Sequence, residues 1–140
     1  MKYWIALAMG LVALAGLTAC GGDDSQEDNR ITAIEDLSKS AVNSWVANGS
    51  SGLYNILHPR IKAECSVDDF EAAMASQPKP TVWRNTKDIT FLNEEKSAAT
   101  ATVVIVVDDK DTEQPWSFEL EENVRWRVSD LPGLSECGSQ

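Results

Sequence analysis

The sequence predicts an α+β fold: three N-terminal helices packed on a curved, mostly antiparallel four-stranded sheet. Three observations carry this expectation. Apolar residues recur at helical spacing as far as Gln77-Pro78-Lys79-Pro80, which ends the last helical pattern. Beyond Pro80 the apolar period drops from about 3.6 to about 2, the spacing of strands. The last two alternating runs are separated only by a tight turn around Glu122, so they form an antiparallel hairpin. With 140 residues the chain holds one domain, expected over 31–140, after a segment 1–19 and a short stretch 20–30 that read differently.

Met1-Lys2-Tyr3-Trp4 carries one positive charge, and Ile5–Leu17 is apolar apart from Gly10 and Gly16. A short basic start and an apolar run too short to span a bilayer comfortably describe a secretory signal. The run ends in Leu17-Thr18-Ala19-Cys20-Gly21, which resembles the bacterial lipoprotein lipobox. The resemblance implies cleavage before Cys20, acylation of its thiol and often of its new amino terminus, and a location in the cell envelope facing outside the cytoplasm. Two or three acyl chains, at roughly 0.8 kcal/mol per buried methylene, anchor stably where one chain does not. Gly21–Arg30 has no apolar residue, two glycines and four acids, so it is expected to be a disordered tether reaching at most about 35 Å.

Charge and cysteine content exclude several functions. There are 22 acids against 12 bases and a single histidine. So acidic a chain does not suit nucleic-acid binding, which needs a basic surface, and one histidine rules out a multi-histidine metal site. With Cys20 used as the anchor, Cys65 and Cys137 remain in an exported and oxidising setting. Either thiol would be a nucleophile or metal ligand only with further partners. A disulfide between them is the preferred reading, worth about 4–5 kcal/mol by loop entropy.

Thr32-Ala33-Ile34-Glu35 has the pattern of a capping box, and Ile34, Leu37, Ala41 and Trp45 then recur at helical spacing up to the Asn48-Gly49 stop. A second helix is expected from Ser50-Ser51 through Leu53, Ile56 and Leu57, breaking at His58-Pro59 and resuming for a turn or two through Ile61 and Ala63. The third starts at Ser66, a capping serine followed by Asp68 and Asp69, with Phe70, Ala73 and Met74 on its apolar face.

Strands are expected over 82–92, 98–107, 116–121 and 124–129. A turn at Glu122 would pair Phe118 with Trp126 and Glu119 with Arg125, putting both apolar sets on one face. The acidic run Asp108–Glu113 reads as a solvated hairpin loop, since it lacks the glycine an EF-hand requires. The second strand is apolar on both faces. If helices cover Val104 and Val106, then Val103, Ile105 and Val107 would be left as a face for a homodimer.

The element order, together with Leu53-Tyr54-Asn55-Ile56-Leu57-His58-Pro59, Cys65-Ser66-Val67-Asp68-Asp69-Phe70 and Val124-Arg125-Trp126-Arg127-Val128, resembles the nuclear transport factor 2-like superfamily, especially its small secreted lipoproteins. That resemblance spans about residues 31–137. It implies a cone-shaped roll with a pocket between helices and sheet, and frequently a dimer through the outer sheet face. The superfamily includes isomerases, dehydratases and hydrolases as well as members without catalysis, so the fold alone does not assign an activity.

Candidate pocket residues are Trp45, Tyr54, Trp83, Asp88, Trp116 and Trp126, which could enclose an apolar small ligand. No catalytic set, cofactor motif or metal set stands out. His58, beside a proline at a helix break, suits capping better than catalysis, and Asp88 is the carboxylate placed to point inward. The expected function is a membrane-anchored, non-enzymatic binding or interaction module. The alternatives are a small enzyme using the cavity, or a structural envelope protein whose cavity is filled by its own side chains.

Overall fold

In the computed structural model, residues 22–137 form one α+β unit with the element order α1 (Gly22–Asn48), α2 (Ser50–Tyr54), α3 (Pro59–Glu64), α4 (Val67–Met74), β1 (Val82–Phe91), β2 (Ala98–Val107), β3 (Lys110–Glu121), β4 (Arg125–Asp130) and a 3-10 turn, Leu134–Glu136. These are the residues the structure describes. The proposed signal segment and Cys20 lie outside them. There are four helices among these residues rather than three, because the break at His58-Pro59 separates α2 from α3. His58 accepts the Arg60 backbone N–H at its Nδ1 (3.2 Å) and so caps the six-residue α3. Ser66 likewise caps α4, accepting the Asp69 N–H at 3.2 Å, and Phe70, Ala73 and Met74 are buried.

Two expectations at the front of the domain are corrected. Thr32 is not an N-cap: the helix passes through it, and its hydroxyl donates to the Asp28 carbonyl one turn back. The segment expected to be a disordered tether is helical from Gly22. Acids in the first turns suit the positive end of the helix dipole. Its partners are remote in sequence: Arg30 donates to the carbonyls of Glu95 and Lys96, and Lys96 pairs with Glu27. Ile34, Ser38, Ala41, Val42 and Trp45 form the buried stripe of α1, and the Ser38 hydroxyl is satisfied by the Ile34 carbonyl at 2.7 Å. Helix α2 doubles back tightly on α1. A methyl at Gly52 would collide with the Ser44 carbonyl oxygen, so glycine is required there.

The sheet is an antiparallel meander in the order β1-β2-β3-β4. Residues Asp108 and Asp109, both at positive φ, form a two-residue turn that pairs Val107 with Lys110. The loop expected over Asp108–Glu113 is therefore only two residues long, and Asp111 and Glu113 belong to β3. This short turn sets odd-numbered β2 residues beside even-numbered β3 residues: Ala99 faces Phe118 and Ala101 faces Trp116. Small residues opposite large rings let this face pack tightly.

The same parity corrects the expected dimer face. Val103 and Ile105 are fully buried in the core beneath the helices, and Val107 packs against that core. In the β3–β4 hairpin the parity is as expected but the register differs by two. Phe118 pairs with Val128, Glu119 with Arg127, Leu120 with Trp126 and Glu121 with Arg125. Glu122 and Asn123 take positive φ and Val124 N–H donates to Glu121 O, so the turn sits one residue later than expected and spans 122–124. Asn accepts the left-handed region more readily than most residues, which favours this position.

The free edge of β4 is closed by the α2–α3 connector. His58 N–H donates to Val128 O at 2.8 Å, and Val128 N–H donates to Ile56 O at 3.1 Å, so Leu57 lies beside β4 as a parallel bridge. Cys65 and Cys137 form a disulfide, with Cα atoms 5.6 Å apart, that ties the tail to the α3–α4 junction.

Candidate functional site

The expected pocket residues occupy three different environments. Trp45, Trp116 and Trp126 are buried in the core with Phe70, Phe118, Leu53 and Leu57. Their rings belong to this packed cluster, with Trp116 6.3 Å from Phe118 and Trp126 6.3 Å from Phe91 between ring centres. The Trp116 N–H donates to Gln114 Oε1 at 3.1 Å. Tyr54 stands at the border of this core, its hydroxyl donating to the Cys65 carbonyl at 2.8 Å, which ties α2 to the end of α3. Trp83 is half-buried, its N–H donates to Thr86 Oγ1 at 3.2 Å, and the Lys39 ammonium lies 5.6 Å from its ring centre. Asp88 does not point inward: it is exposed on a bulge of β1 at φ 54°.

Asp88 is therefore not brought together with the buried tryptophans. The buried polar residues are Ser38, Thr86, Gln114 and Ser129, and among the described residues no fully buried side-chain nitrogen or oxygen lacks a partner. Two surface depressions lie away from these tryptophans. One of about 270 Å³ is lined by Gln26, Glu27, Arg30, Glu94, Glu95 and Lys96, and one of about 230 Å³ surrounds the disulfide with Ile61, Glu64, Ser129, Asp130 and Leu134. Among the described residues no group of three or more His, Cys, Asp or Glu is placed to hold a metal ion, and no helix is long and apolar enough to cross a membrane.

The outer face of the sheet carries an arrangement that the sequence reading missed. Arg84 pairs with Asp111 at 3.2 Å and Lys87 pairs with Glu113, both from β1 to β3. These strands are separated by β2, so their backbones are about 9–10 Å apart and both partners must lean across it. Beneath them Val104 and Val106 are only 5% and 6% exposed. Long side chains of this kind can lay their aliphatic stems along apolar surface while the charges stay in water. Arg60 makes a similar reach from α3 over β4 to both carboxylate oxygens of Glu119, at 3.0 and 3.2 Å. Extending the Trp116–Phe118 alternation backwards puts Asp111 and Glu113 on the outer face, the one signal in the sequence that would have revealed these straps.

Two ion pairs of the sheet, Lys87–Glu113 and Arg127–Glu121, shift protonation. The hydrogen bond to Glu113 raises Lys87 above its ordinary value of 10.5, with partial desolvation opposing. Arg127 Nε donates to Glu121 at 2.6 Å, and this bond holds the Glu121 carboxyl below its ordinary 4.5, again against desolvation. A carboxyl depressed in the folded state contributes stability that is present above its unfolded pKa and is lost as pH falls through its folded value. Wild type is therefore expected to be more stable than Glu121→Gln at pH 7, and the two should converge as pH falls below 4.5. Urea midpoints across that range check this. A gap that persisted in acid would show that the ionised pair is not its cause.

No protein-family model matches the chain, and neither a curated protein nor a solved structure matches it.

Proposed function

We propose that this chain is a lipid-anchored protein of the bacterial cell envelope, with a single nuclear transport factor 2-like domain acting through its surface as an interaction or structural module. The observation that carries this reading is the interior. Trp45, Trp116, Phe118 and Trp126 are each 7% exposed or less and belong to one packed core cluster, which supports an interior filled by the protein's own side chains. The lipobox-like Leu17-Thr18-Ala19-Cys20 supports the anchor, and the Cys65–Cys137 disulfide fits an oxidising compartment outside the cytoplasm. The cone-shaped roll rests on the likeness of sequence segments and on the order of helices before an antiparallel meander.

An enzyme of this architecture needs an acid and a base converging in an apolar pocket. Here the one histidine caps α3, and Asp88 is exposed on the β1 bulge, so the surface reading has more support. Titration with an apolar polarity-sensitive dye tests the choice. Wild-type protein is expected to give no saturable one-to-one enhancement of emission. A stoichiometric, saturable enhancement would overturn the filled interior and favour an apolar small-ligand carrier.

A further inference from the structure

We infer that the domain rests on the bilayer with the β1–β2 and β3–β4 hairpin tips facing down, placing Leu92 and Val124 in the headgroup region of a zwitterionic lipid surface; this rests on the lipid-anchor reading of Cys20. A flexible tether would have left the orientation free. The helix leaves almost no tether: α1 begins at Gly22, two residues after Cys20, a reach of at most about 7 Å.

The first turns of α1 lie alongside the β1–β2 tip, held by the Arg30 bonds to Glu95 and Lys96 and by the Lys96–Glu27 pair. From Glu27 back to Gly22 the helix advances about 7–8 Å. The residue that would carry the acyl chains is therefore within about 15 Å of Glu27, whose side chain pairs with Lys96 on the tip. In a meander the β3–β4 turn is at the same end, and the Leu120 N–H bond to the Ser97 carbonyl at 2.8 Å sets the two hairpins level.

Independently, the two most exposed large apolar side chains among the described residues sit on these tips: Val124 is 84% exposed and Leu92 is 61% exposed. An apolar side chain on a turn facing solvent has no packing role, but it is suited to the boundary between headgroups and acyl chains. The charges nearby select the lipid. Glu27, Asp28, Glu94, Glu95 and Glu122 outnumber Arg30, Lys96 and Arg125, so an anionic surface would repel this end and a zwitterionic one would not.

The test uses the full acylated protein. With Cys20 acylated and Cys65–Cys137 bonded, a new cysteine is the one free thiol for a polarity-sensitive dye. Leu92→Cys, Val124→Cys and Lys110→Cys place it at the two tips and at the opposite end of the sheet. On phosphatidylcholine vesicles with brominated acyl chains, dye at 92 and 124 should shift to the blue and lose intensity, and dye at 110 should do neither. Adding phosphatidylglycerol at low salt should weaken the quenching. If positions 92 and 124 behave like 110 in protein whose mass includes the acyl chains, the orientation is wrong and the anchor stands. Stronger quenching with phosphatidylglycerol would overturn the lipid preference, and an unmodified Cys20 would remove both the orientation and the anchor.

Discussion

Trp116→Ala is expected to cost about 3–5 kcal/mol of stability, the range for deleting a buried large aromatic side chain. Trp116 is 1% exposed, lies opposite Ala101 on β2 and contacts the Phe118 ring. Alanine on both sides of that pair would leave a void that backbone fixed by two strand ladders cannot close. The indole N–H is also the partner of Gln114, which is itself only 5% exposed, so truncation strands a buried amide. Single domains have about 5–15 kcal/mol to lose, so this variant should be at or near the limit of folding. Val124→Ala, at the exposed β3–β4 turn, should change stability by no more than about 0.5 kcal/mol. Urea unfolding followed by far-ultraviolet circular dichroism measures both. A loss below about 1 kcal/mol at Trp116 would mean that its ring is not packed as described.

Reducing the Cys65–Cys137 bond is expected to cost about 4 kcal/mol, because the bridge closes a loop across 72 residues and its release enlarges the unfolded ensemble. The folded side also depends on it. The tail carries Leu131 and Leu134, 3% and 7% exposed, onto the core beside the end of α4. Reduction should therefore lower the urea midpoint. Cys65→Ala with Cys137→Ala should reproduce the reduced protein and lose any response to reductant. Equal midpoints for oxidised and reduced wild type would show that the tail is held without the bridge.

Both expectations concern residues that were legible in the sequence, but to different degrees. The pairing of Cys65 with Cys137 followed from counting thiols once Cys20 was set aside. Burial of Trp45, Trp116 and Trp126 followed from period, because a residue's place in a helical or alternating pattern is a local property. Whether those rings surround a cavity or fill it was not legible. That depends on the separation of the helices from the sheet, which no local pattern sets. His58 at a cap was readable from its proline neighbour. Asp88 was not, because its outward position comes from a bulge whose register is set by β2.

By itself the sequence determined the order and type of the elements, their breaks at Gly49 and Pro59, and the shared apolar face of β3 and β4. These follow from chain geometry within a few residues, where 3.6 and 2 are different periods and proline and glycine act locally. Only the tertiary structure decided which apolar face of β2 is inside, since Val103–Val107 offers both equally and the Asp108-Asp109 turn selects one through its partner strand. It also decided the helical start of α1 and the straps across β2. In each case the stabilising partner is many residues away: Arg30 reaches Glu95, and Arg84 reaches Asp111. A local pattern fixes what a segment can become, and the partner brought to it by the fold fixes which of those forms is occupied.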